Sequence, residues 1–233
     1  MIPRFFEAEE NPGWTMTEYV LYAHYNSYAM TTHLLLEELK LNYRVVWFNV
    51  HKPREFPPEF LELNPYGRVP LLVTPDGPLF ESAATMVYLA EKEGGTFLPS
   101  DIGQERAQAF QWLFFLMSTF QPEVLIQFDP DKYFPDDRAM QKRLMGASLD
   151  ILEKIWKYLD ESILPGPYFL GRRYSICDML FIMQAIWKEN QPSTFGALPN
   201  IRRLMKTILA RPAVKKVLVT HDVEALSQLA STW

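Results

Sequence analysis

The sequence predicts an α/β domain followed by an all-α domain, and three observations carry that prediction. Segments with the composition and period of strands, Tyr19 to His24, Tyr43 to Val50, Gly67 to Val73 and the short Leu79-Phe80, all precede Gly94. From Gly94-Gly95 through Pro99-Ser100-Asp101 the pattern breaks, where a first domain of ordinary size should end. Past the break the strand signals stop and long apolar stripes at helical spacing take over. The chain is therefore divided into an N-terminal extension (1–17), an α/β domain (18–95), a linker (96–104) and an all-helical domain (105–233).

Each element has a local reason. Tyr19 to His24 is rich in β-branched and aromatic residues and stops at the turn-prone Asn26-Ser27. A helix is expected from Ala29 to Leu41, with Leu34, Leu35, Leu39 and Leu41 inward and Glu37-Glu38 outward. Tyr43 to Val50 alternates as a second strand, and a Pro-rich connection carrying His51, Lys52 and Pro53 leads to a short helix at Pro57 to Leu63. A strand opens at Pro70, where no ladder donor is lost, and Pro75 suits the first corner of a tight turn before a second strand. The next helix opens at Ser82 and runs through Ala83 to Ala90.

In the second half, Glu105 to Gln121 and Arg138 to Leu159 read as strongly apolar helices whose aromatic stripes serve as core. Gly171 leads into Ser175 and Asp178, spaced as a capping box in front of an apolar helix that holds Cys177. Helices at Ile201 to Leu209 and Pro212 to Val219 close the fold.

Composition removes several function classes. The formal net charge of −5 and the scattered basic doublets argue against a nucleic-acid partner. A single cysteine, Cys177, excludes an intrachain disulfide framework, a CxxC redox pair and a cysteine-based zinc site, and no metal is expected. The first 19 residues carry Glu7, Glu9 and Glu10 in place of a basic head and apolar core, and no apolar run is long enough to span a membrane. A cytoplasmic protein with no membrane association is the expectation.

The stretch Gly67-Arg68-Val69-Pro70, followed by Glu81-Ser82 and later by the Gly171, Ser175, Asp178 spacing, resembles the cytosolic glutathione transferases. The resemblance spans about residues 18 to 220. It selects a thioredoxin-like N-terminal domain and a C-terminal helical bundle, and it implies a homodimer. It also implies a cis Val69-Pro70 bond, with the Arg68-Val69-Pro70 segment at the glutathione and Val69 offering its peptide groups to the cysteinyl amide. Glu81 would meet the γ-glutamyl ammonium, Ser82 its carboxylate, and His51 and Lys52 the glycyl carboxylate.

The enzymes of this family stabilise the thiolate of bound glutathione, the co-substrate, for attack on small hydrophobic electrophiles, a detoxification chemistry. Aligning the first helix on Leu36-Glu37-Glu38 puts Asn26 where serine-dependent classes carry their serine, with the hydroxyl displaced to Ser27. Tyr28 falls where some bacterial members carry a cysteine, and Tyr22 lies near the tyrosine of other classes. Asn26, Ser27 and Tyr28 are thus the candidate catalytic residues. His24 and His33 are expected to be structural. Two alternatives stay open: glutathione-dependent reduction of peroxides or disulfides, and a non-catalytic partner-binding protein on the same fold.

Overall fold

In a computed structural model, residues 18–94, 96–163, 166–188 and 197–223 are described. The first half builds β1 (Tyr19–Ala23), α1 (Ala29–Glu38), β2 (Tyr43–Trp47), α2 (Phe60–Leu63), β3 (Leu71–Thr74), β4 (Gly77–Phe80) and α3 (Ser82–Lys92). The four strands lie in the order β2-β1-β3-β4, with β1 parallel to β2 and β3 antiparallel to both β1 and β4. This is the thioredoxin-like arrangement that the element order and the resemblance predict.

Strand periodicity divides the core in two. Leu21, Ala23 and Leu72 face α1 and α3 and join the main core, whereas Val20, Tyr22, Leu71 and Val73 face the other way and pack with Phe60 of α2. The hairpin between β3 and β4 turns on Pro75-Asp76 and is closed by Thr74, whose hydroxyl donates to the Gly77 carbonyl at 2.9 Å. Helix α1 stops three residues before its expected end. Lys40 takes a left-handed backbone (φ 55°), and the Lys40 and Leu41 N–H groups bond back to Glu37 and Leu36 at 3.1 Å each, the Schellman closure.

The second half is helical: α4 (Gln104–Phe114), α5 (Gln121–Ile126), α6 (Arg138–Ser162), α7 (Ile176–Lys188), α8 (Pro199–Leu209) and α9 (Pro212–Thr220). Where one helix is expected from Glu105 to Gln121, the chain instead passes from α4 into a wide π-helical stretch, Phe115–Phe120, and then into α5. Pro122 in the first turn of α5 lacks the N–H that a regular ladder would send back, which accounts for the local widening. Asp137 caps α6 by accepting the Met140 N–H at 2.9 Å.

The capping box forms only by half. Asp178 reaches back as expected to accept the Ser175 N–H, but the Ser175 hydroxyl also donates to Asp178, each at 2.8 Å. The other carboxylate oxygen accepts the Phe169 N–H at 2.9 Å. Burial pushes this carboxyl up to about 7 against the pull of those donors. Cys177 is fully buried with its thiol against the Ala109 carbonyl, and burial raises its pKa, so it is the small apolar side chain that the sequence suggests.

One hydrophobic core runs through both halves. Helix α1 packs on α7 and α9, and α3 packs on α7. Arg211 grips Glu38 through two hydrogen bonds of 2.6 and 2.8 Å, its guanidinium lying 3.9 Å from the Tyr174 ring centre. The proposed extension (1–17) and the chain after 223 lie outside the described residues. Among the described residues, no helix is long and apolar enough to cross a membrane.

Candidate functional site

Sheet register brings the three candidate stretches to one end of the sheet. Tyr22 of β1 pairs with Leu71 of β3, so the β1–α1 turn lies beside Val69-Pro70, and Leu71 pairs with Phe80, so Glu81-Ser82 lies there too. The Val69–Pro70 bond is cis, the form that the resemblance implies. Upstream of it, Asn64 is buried and donates from Nδ2 to the Arg68 carbonyl at 2.7 Å, while Gly67 takes φ 70° and bonds to the Asn64 carbonyl at 2.9 Å. Among the described residues the Val69 N–H and C=O take no partner, which leaves a short open peptide edge.

Glu81 is exposed in a left-handed backbone (φ 71°) immediately before α3. Ser82, the first residue of α3, is buried, yet its hydroxyl makes no hydrogen bond among the described residues. A free hydroxyl and free N–H groups at a helix N-terminus suit an anionic group, and a carboxylate beside them suits a cation. His51 and Lys52 are exposed beyond β2, and Lys52 pairs with Glu55 at 3.0 Å. Arg68 is exposed with its guanidinium over Tyr66.

At the β1–α1 turn the candidates separate. Asn26 has a left-handed backbone (φ 48°), which asparagine tolerates, and its Oδ1 accepts the indole N–H of Trp187 on α7 at 3.2 Å. The Ser27 hydroxyl donates its one hydrogen to the His24 carbonyl at 2.7 Å and accepts the Ala29 N–H at 3.3 Å, so it builds the turn. Tyr28 is buried beside Gln184, its hydroxyl without a hydrogen-bond partner among the described residues and its ring 5.1 Å from that of Trp187, and burial raises its pKa.

Tyr22 points to the α2 face and donates to Glu59 at 2.8 Å, its pKa raised by burial and by that carboxylate. It is therefore turned away from the β1–α1 turn. His24 contacts the Phe48 carbonyl through Nδ1 at 3.2 Å, and His33 is buried between Tyr43 and His221, so both are structural. Trp187 and Phe128, ring centres 5.4 Å apart, form an aromatic wall beside the turn. They escape sequence reasoning because they come from distant segments, Trp187 from α7 and Phe128 from the turn after α5. Among the described residues no group of three or more His, Cys, Asp or Glu side chains is arranged to hold a metal ion.

Comparison with known proteins agrees with the fold. The family model for the glutathione S-transferase N-terminal domain matches residues 17–91, and that for the glutathione S-transferase C-terminal domain matches residues 127–221. The disulfide-bond oxidoreductase YfcG of Escherichia coli (strain K12) is 28% identical over 80% of this chain and 87% of its own. A probable elongation factor 1-gamma 2 of Arabidopsis thaliana is 29% identical over 69% of this chain, which spans only 39% of that protein's length. The structure of Ure2p in complex with glutathione superposes with a TM-score of 0.78 at 21% identity, over 88% of this chain and all of that one, and so shares its fold. With both halves matched in order, the chain belongs to the glutathione S-transferase family.

Proposed function

We propose that the protein binds glutathione across Val69, Glu81 and Ser82 and transfers it, as the thiolate, to small hydrophobic electrophiles. The observation that carries this reading is the convergence of an open Val69 peptide edge, an unpaired Ser82 hydroxyl at a helix start and the Asn26 side chain at one end of the sheet. Each meets a different part of the tripeptide: the edge pairs with the cysteinyl amide, Ser82 and the α3 N-terminus hold the γ-glutamyl carboxylate, and Glu81 holds the ammonium. His51, Lys52 and Arg68, all exposed, are the candidates for the glycyl carboxylate.

Asn26 is the thiolate donor in this reading. Among the described residues its Nδ2 takes no partner, whereas the Ser27 hydrogen is spent on His24 and the Tyr28 hydroxyl is buried. Lowering a thiol pKa by about two units needs about 2.7 kcal/mol of differential interaction, within reach of such donors near a helix N-terminus. Trp187 and Phe128 offer the apolar surface for the electrophile. A two-fold dimer, tested by mass at micromolar concentration, completes the proposal.

Reduction of a disulfide by two glutathiones, giving oxidised glutathione and two thiols, is the second reading. The similarity to YfcG over most of both chains favours it, and Cys177 is too buried to take part. The test is retention on immobilised glutathione, followed by turnover of a generic aryl halide and of a small mixed disulfide. Turnover of the halide supports transfer, and turnover of the disulfide alone supports reduction. Retention without either supports a binding protein, and failure to bind millimolar glutathione removes both enzymatic readings.

A further inference from the structure

We infer that Trp187, from the helical domain, is a positioning residue that orients the Asn26 amide so that its Nδ2 hydrogens face the sulfur of bound glutathione; this rests on the function proposed above. An indole N–H donates and never accepts, so the 3.2 Å contact must be to the oxygen of the amide. Turning the amide over would set two donors against each other at Trp187 and present an oxygen lone pair to the thiolate. With Oδ1 held by Trp187, the amide has only its Nδ2 hydrogens left to offer, and an anion beside them gains from both.

The arrangement is built from both ends. Asn26 is fixed by its left-handed backbone and by Ser27, which ties the turn to His24 and Ala29. Trp187 is fixed by its ring contacts with Tyr28 and Phe128 and by its place on α7, whose buried first turn is locked by Asp178. Thiolate stabilisation in the first domain therefore depends on a side chain 161 residues away.

Trp187→Phe keeps an aromatic side chain on α7 and removes the indole N–H donor. In the full-length protein, glutathione should still bind, but the pH midpoint at which bound thiolate appears by ultraviolet absorbance should rise by about half a unit or more. In an Asn26→Ala background the same change should add nothing further. Independently of glutathione, the indole 15N–1H resonance of Trp187, assigned by its loss in Trp187→Phe, should move upfield in Asn26→Ala as its acceptor is removed.

An unmoved indole resonance, an unchanged midpoint in Trp187→Phe, or an equal shift with and without Asn26 would each overturn the inference while leaving glutathione chemistry intact. A wild-type protein that binds glutathione without forming thiolate near neutral pH, or binds none, would overturn the functional reading and this inference with it.

Discussion

His33 on α1 and His221 at the end of α9 share a hydrogen bond of 3.1 Å between Nδ1 and Nε2, and the bonds around them fix which nitrogen carries each proton. Tyr43 donates to Glu37, so the Tyr43 oxygen accepts from His33 Nε2 at 2.8 Å. His33 Nδ1 then accepts from His221 Nε2, and His221 Nδ1 is left buried without a partner among the described residues. Burial first, and their mutual repulsion next for His221, pull His33 down to about 4 and His221 to about 3.

Both imidazoles are neutral in the fold and bind protons more readily once unfolded. The stability they contribute is complete above the unfolded value of about 6.5 and is lost as pH falls through the window from there to about 4. Each histidine should remove about 1.4 kcal/mol per pH unit in that window. Urea midpoints at pH 7 and pH 5 should show a steeper acid loss in the wild type than in His221→Gln, because the buried Asp178 and the partly buried Glu37 contribute alike to both proteins. Parallel curves would mean that the pair is already charged in the fold.

Arg211 and Glu38 tie α9 to α1 with the carboxylate only 9% exposed. Arg211→Leu leaves that charge without its partner and should cost about 1–3 kcal/mol. Because the two groups bridge the halves, the loss should appear in the melting temperature and in faster proteolysis around α9, with the sheet remaining intact.

Asp178→Ala orphans the buried Phe169 and Ser175 N–H groups together and should cost roughly 2–6 kcal/mol, as each buried orphan donor costs about 1–3. Activity per folded molecule should be retained. A loss of turnover at an unchanged melting temperature would give Asp178 a direct part in the chemistry.

Ser82→Ala should weaken glutathione binding by about 1–3 kcal/mol, the value of a hydrogen bond to a charged group. Removing the γ-glutamyl carboxylate from the ligand should abolish the difference between Ser82→Ala and wild type. If the variant binds glutathione as well as wild type does, the carboxylate sits elsewhere.

The serine at the start of α3 is legible in the sequence as a local device that a few consecutive residues set, whereas the peptide edge at Val69 is expected only through the family resemblance. The turn of Tyr22 toward α2 is also contained in strand alternation, since Leu21 and Ala23 take the α1 face and leave Tyr22 the other. The choice among Asn26, Ser27 and Tyr28 is not legible. It depends on which hydrogens are already spent, on Ser27 turning to the His24 carbonyl and on Trp187 arriving from α7, and these are tertiary facts. The wide turn at 115–120 is hidden for a related reason, because apolar spacing persists through it while the ladder of hydrogen bonds changes.

The central claim is that Asn26 holds the thiolate of glutathione bound along Val69 and Ser82. It is tested most directly by titrating bound glutathione in the wild type and in Asn26→Ala by ultraviolet absorbance. The account predicts a wild-type midpoint at least about one unit below the ~8.5 of an ordinary thiol, and a rise toward that value in Asn26→Ala with glutathione affinity retained. Identical midpoints in the two proteins would contradict it.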